Sequence, residues 1–164
     1  MSDDPLDRLL QASIERAGPY LRESFEMPEH SMDAARVRAL FERARTIALA
    51  TVAPTGVPRV APVDAFLDGT AFCVPTVATS ARCRHLTTNP AASLTCFEKD
   101  WAVLAHGTSA IVRESDDAFG ALEERAREAG MSSVLEWGEG VYVRVEPELV
   151  FTWTRAVGGP SAGA

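Results

Sequence analysis

The chain has 164 residues, 46% hydrophobic and 24% charged, which suits one domain, with or without an appendage, and a core that needs no staples. A formal net charge of -7 argues against general nucleic-acid binding, because phosphates are repelled and any anion site must be local. No apolar run approaches the roughly 20 residues of a membrane-spanning helix.

Asp4-Pro5 opens a helix, with Asp as N-cap and Pro at the first helical position. Leu6, Leu9, Leu10, Ile14 and Ala17 recur at helical spacing until Gly18-Pro19 stops them. Leu21 and Phe25 could add one apolar turn before Met27-Pro28. Residues 1–30 are thus expected to be an accessory helix and linker, packed on the domain or on a partner subunit. Ser31 is expected to cap a second helix whose apolar face carries Val37, Leu40, Phe41 and Ala44. Its arginines, Arg36, Arg38, Arg43 and Arg45, lie mostly off that face.

Strands follow. Thr46 to Val52 is a β-type run, and Ala53-Pro54-Thr55-Gly56 is a turn. Val57 to Leu67 carries Pro58 and Pro62, which points to an edge or bulged strand. Asp68-Gly69 is a hairpin turn, and Thr70 to Thr76 returns. Ser80 to Thr88 is helical. Ala91 to Phe97 and Trp101 to Arg113 are further strands. Ser115-Asp116-Asp117 is expected to cap a long helix ended by Gly130, and residues 131–138 form a loop. Gly140 to Trp153 is the last strand, with a bulge at Glu146-Pro147. The Gly- and Ala-rich tail, residues 157–164, is expected to be disordered.

Six strands joined mostly by short turns, with helices between strands 3 and 4 and between 5 and 6, predict a mainly β fold: a six-stranded antiparallel barrel with flanking helices. The order is not alternating βα and there is no GxGxxG, so a Rossmann sheet is disfavoured. Cys73, Cys83 and Cys96 form no CxxC and no even framework, and are expected to be buried free thiols. With an acidic, polar start that is no signal peptide, this leads to an expected cytoplasmic location.

The stretch Phe72 to Pro90 carries the chemistry. A buried strand runs through Thr76, Thr79 and Ser80 into a helix with Arg82 in its first turn. Hydroxyls, free backbone N–H groups and a cation at a helix start make an anion site. An ordinary helix cap beside an exposed charge has the same sequence. No paired-carboxylate, Ser-His-Asp or metal signature stands out, so no catalytic residue and no metal is assigned. Cys83 has no base beside it.

The order and spacing of five pieces resemble the FMN-binding split-barrel family of pyridoxamine 5'-phosphate oxidase. They are Arg45 to Val52, Gly56 to Val63, Thr76 to Pro90, Ala92 to Thr95, and Ala105 to Val112, within residues 31–155. The family stretch T-x-x-x-S-x-K-x-R-x-L-x-x-N-P is matched by Thr76, Ser80, Arg82, Arg84, Leu86, Asn89 and Pro90. Arg82 replaces the lysine and keeps its charge. Ala81 stands where the full oxidase has arginine, and no basic residue lies at Ala61. These departures argue against a true pyridoxamine phosphate oxidase.

The resemblance implies a split-barrel domain over 31–156 and a homodimer with two sites. Each site would take FMN, the deazaflavin coenzyme F-420 or, in another branch, haem. It implies an oxidoreductase exchanging hydride with a small organic substrate, or alternatively a non-catalytic cofactor carrier or haem binder. Ser80 and Arg82 would hold the cofactor phosphate, with Thr76, Thr79 and Arg84 as further candidates. Arg59, Val60, Ala61, Pro62 and Val63 would wall the flavin ring through their backbone. Val74 and Pro75 complete the set, and Trp101 would approach a neighbouring subunit's site. His85 and His106, the histidines open to a haem-ligand reading, lie in no ligand-spaced cluster and are expected to be simply hydrogen-bonded.

Overall fold

The protein was analysed as a computed structural model that describes residues 3–156. The tail expected to be disordered, 157–164, lies outside the described residues.

The chain alternation builds a barrel. In β1 (Arg45–Val52), Ile47 and Leu49 are buried, and so is Thr51 at the next inward position. β2 (Pro58–Asp68) and β3 (Ala71–Val77) meet at the Asp68–Ala71 pair, so the hairpin expected at Asp68-Gly69 turns one residue later, on Gly69-Thr70, where Gly69 takes a positive φ of 62°. β4 (Ala91–Glu98), β5 (Trp101–Val112) and β6 (Gly140–Thr154) complete a closed antiparallel circuit in the order β1-β2-β3-β6-β5-β4. β4 closes on β1 through the pairs Ala48–Thr95, Leu49–Leu94 and Ala50–Ser93. The bulge expected at Glu146-Pro147 falls one residue on: the β5–β6 register slips between His106, opposite Leu149, and Gly107, opposite Pro147, and passes over Glu148. A Cβ at Gly107 would stand 2.0 Å from the Glu146 carbonyl oxygen, so only glycine fits there.

Helices seal the barrel. α1 (Pro5–Arg16) starts at Asp4, whose side chain accepts from the Leu6 N–H. Leu6 and Leu10 enter the main core, so this helix packs on the barrel itself. Ser13 joins it to β6: fully buried, its hydroxyl donates to the Leu9 carbonyl at 2.7 Å and accepts from the Val150 N–H at 2.8 Å. α2 (Pro19–Ser24) follows after Gly18. α3 (Ala34–Leu40) is capped by Asp33 and not by Ser31, because the Asp33 carboxylate reaches the Arg36 N–H at 2.8 Å. α4 (Ala81–Thr88) lies between β3 and β4.

α5 (Phe119–Glu128) also starts later than expected, at Ala118 and with no side-chain cap. Asp116 is occupied elsewhere, accepting from the Arg113 N–H at 2.8 Å to close the turn leaving β5. Local hydrogen bonds of this kind compete directly with capping. The loop 131–138 carries a single 3-10 turn, Val134–Trp137, held by Glu123 of α5. The Glu123 carboxylate accepts from the Val134 N–H at 3.1 Å and from the Tyr142 hydroxyl at 2.7 Å.

Ser13→Ala strands the buried Val150 N–H and is expected to destabilise the protein by about 1–3 kcal/mol in urea melts. Burial raises the Glu123 pKa, but hydrogen bonds from Ser133, Tyr142 and Val134 outweigh it and hold the carboxyl below its ordinary value. A carboxylate depressed in the fold adds stability above its unfolded pKa and loses it as pH falls through the folded value. Tyr142→Phe removes one of those bonds, so the stability gap between wild type and variant is expected to narrow below about pH 4 in acid-denaturation curves.

Candidate functional site

β2 divides its length between two partners. From Pro58 to Ala65 it pairs with β1, and from Phe66 to Asp68 with β3. Beyond the Phe66–Cys73 pair the hairpin strands part, and β3 runs on to Val77 against β6. The half of β2 that contains Pro58 and Pro62 therefore has one strand neighbour, as its prolines foretold. α4 starts in the gap.

A groove of about 290 Å³ follows from this parting. One wall is β2, through Arg59, Val60 and Ala61; the other is α4, through Ser80, Ala81, Arg82 and His85. Leu49 and Thr51 of β1 also line it. Ser80 caps α4, its hydroxyl accepting from the Cys83 N–H at 3.3 Å. Arg82 Nη1 donates to Thr76 Oγ1 at 2.7 Å, and Thr76 is buried at the end of β3. This bond fixes the guanidinium over the parting strands without neutralising it. Arg59 reaches only the Pro58 carbonyl, at 3.4 Å. Among the described residues neither arginine has a carboxylate partner, and no carboxylate lines the groove.

The structure thus gathers Arg59, Val60, Ala61, Ser80 and Arg82 in one groove, with Thr76 behind Arg82. Other expected residues fall outside. Arg84 is exposed and turns back to donate to the Thr79 carbonyl at 2.8 Å. Thr79 is exposed and is not part of the lining. Pro62 is exposed, and Val63 packs against the main core. Val74 is fully buried in that core and Pro75 is buried too, so neither side chain lines the groove. Trp101 is also a core residue of its own chain, 8% exposed, with the Arg45 guanidinium 5.2 Å from its ring centre.

Sequence reasoning passed over Leu49, Thr51, Ala81 and His85 as groove residues. Two signals were available. Thr51 is the polar residue in the inward row Ile47, Leu49, Thr51. His85 is three positions from Arg82, on the same face of α4. His85 is hydrogen-bonded, as anticipated, its Nδ1 2.9 Å from Thr51 Oγ1. His106 lies outside this groove, its Nδ1 2.8 Å from Ser93 Oγ.

The groove has the donor set for a phosphate-bearing ligand: two cations, a helix start and hydroxyls, with nothing acidic opposite. A sequence model of the pyridoxamine 5'-phosphate oxidase family matches residues 34–154. The chain belongs to that family. No curated protein matches it. Among solved structures, a conserved hypothetical protein from Mycobacterium tuberculosis is 24% identical, with a TM-score of 0.64 over 82% of this chain and 98% of that one. An F-420 reductase is 21% identical, with a TM-score of 0.55 over 69% and 94%. A haem storage protein from Vibrio cholerae is 16% identical, with a TM-score of 0.58 over 76% and 96%. At these identities the likeness to each is one of fold.

Cys83 sits on the inward face of α4, 2% exposed, and Cys73 and Cys96 are buried in strands. Burial pushes the Cys73 thiol up to about 12 and raises Cys96 as well. A disulfide reagent such as DTNB is therefore expected to titrate none of the three in the native protein within minutes, and all of them in denaturant. Rapid native labelling would show that the barrel opens on that timescale.

Proposed function

We propose that this protein is a cytoplasmic oxidoreductase whose groove binds FMN or the deazaflavin F-420. It would exchange hydride with a small organic substrate at a site completed by a second copy of the chain. The observation that carries the reading is electrostatic. A chain of net charge -7 keeps two arginines without carboxylate partners in one groove, at a hydroxyl-rich helix start, and places no carboxylate there.

In this reading the bound flavin supplies the hydride chemistry. Arg82 and the start of α4 take the phosphate. Thr76 keeps the guanidinium from folding away. The family's missing strand cation is replaced nearby, since Arg59 is two residues from Ala61 and shares its face of β2. Ala81 widens the mouth where the full oxidase has an arginine. The backbone of Arg59 to Ala61 forms the wall for the ring. Val60 is 71% exposed at that wall, an apolar surface that supports coverage by a second subunit. Three buried free thiols support a reducing compartment.

Purified protein incubated with FMN and, separately, with F-420 is expected to shift or quench the absorbance of one of them; binding of neither at micromolar concentration sinks the proposal. Arg82→Ala should weaken that affinity by about 1.5–3 kcal/mol, the worth of a charge-assisted contact. A bound flavin that no tested donor reduces would identify a carrier instead of an enzyme, and a Soret band on haem titration would identify a haem binder.

A further inference from the structure

His85 stands beside the two arginines, and nothing in the phosphate motif assigns it a role. It shares the groove face of α4 with Arg82. Its Nδ1 is held by Thr51, a residue only 4% exposed whose hydroxyl has no other partner among the described residues. A hydroxyl can donate to Nδ1 of a neutral imidazole or accept from the Nδ1–H of an imidazolium. Thr51 therefore keeps the ring in one orientation in both states of protonation. The second ring nitrogen, Nε2, has no hydrogen-bond partner among the described residues.

The charged surroundings are one-sided. Arg82 lies on the same helix and Arg59 across the groove on β2. Arg84 is turned to the Thr79 carbonyl. The elements packed against α4 add little. β1 contributes Arg45, which is paired with Glu98, and β5 contributes His106, which is bonded to Ser93. No carboxylate lines the groove to balance a protonated imidazole; an acidic group on a ligand would.

We propose that His85, positioned by Thr51, is the third anion-binding group of the groove, and that its protonation sets how tightly an acidic ligand is held. The identity of that ligand rests on the cofactor reading above; the capture of an anion does not. The arginines stay charged at every working pH, whereas imidazoles change charge between about pH 5 and 8. An anion favours the protonated ring, so by linkage protonation of His85 strengthens anion binding. A phosphate monoester loses its own second proton near pH 6, about the same range, but that effect is common to wild type and variant and cancels in their comparison.

The full chain and His85→Gln are titrated with FMN, F-420 and inorganic pyrophosphate at about pH 6 and about pH 8.5. Wild type is expected to exceed the variant about tenfold in affinity at the lower pH and to come within about twofold of it at the higher. Thr51→Val, which keeps the shape and removes the hydroxyl, should lose most of the same pH-dependent advantage. An NMR titration of the His85 ring in wild-type protein needs no variant: adding pyrophosphate should move its midpoint upward. Identical pH profiles for wild type and His85→Gln, or a midpoint that the anion leaves in place, overturns the proposal. Pyrophosphate binding that carries the His85 signature, with no binding of FMN or F-420, overturns the cofactor reading and keeps this one.

Discussion

The parting of β2 from β3 is the constraint on which the rest of the molecule depends. A strand can satisfy one neighbour on each side, and β2 spends its far half on β1 alone. β3 meanwhile stays bound to β6 as far as Val77. The barrel remains a closed circuit because β4 returns to β1. What opens is a wedge on its surface, and α4 begins there because the chain leaves β3 at that point. The prolines of β2, costly in a doubly paired strand, are tolerated in this half. Groove, helix start and arginine positions all follow from one local failure of strand pairing.

The wedge is lined by two arginines and by no carboxylate. Elsewhere several arginines are paired with carboxylates, Arg38 with Asp4, Arg45 with Glu98, Arg144 with Asp68 and Glu146, and Arg155 with Asp100, while Arg16, Arg22 and Arg84 donate to backbone carbonyls. Most such exposed pairs add little stability, but they do neutralise charge. Arg82 is treated differently. Its partner is a neutral hydroxyl, which orients the guanidinium and leaves its charge available. Thr51 does the same for His85. Two buried threonines, at the ends of β3 and β1, thus aim two side chains of one helix into the same groove.

Much of the fold was legible in the sequence. The Asp4-Pro5 start and the strand alternation are where they were expected, and the hairpin turn and the β6 bulge lie one residue from Asp68-Gly69 and Glu146-Pro147, because each acts over a few residues. The misplaced helix caps had a common cause. Ser31 and the Ser115 to Asp117 run contain good capping residues, but Asp33 reached its N–H group first and Asp116 closed a turn instead. Local sequence offers several such bonds, and tertiary geometry selects among them.

By itself, then, the sequence determined the strand count, the order of helices among the strands and the helix start at Ser80 with Arg82 in its first turn, because these depend on periodicity and on short-range hydrogen bonding. Only the tertiary structure decided which of the motif's neighbours face the groove. It buried Val74, Pro75 and Trp101, turned Arg84 to the Thr79 carbonyl, and brought Thr51 to His85 from 34 positions away. Side-chain facing in a barrel is set by register between strands far apart in the chain, and no local pattern encodes that register.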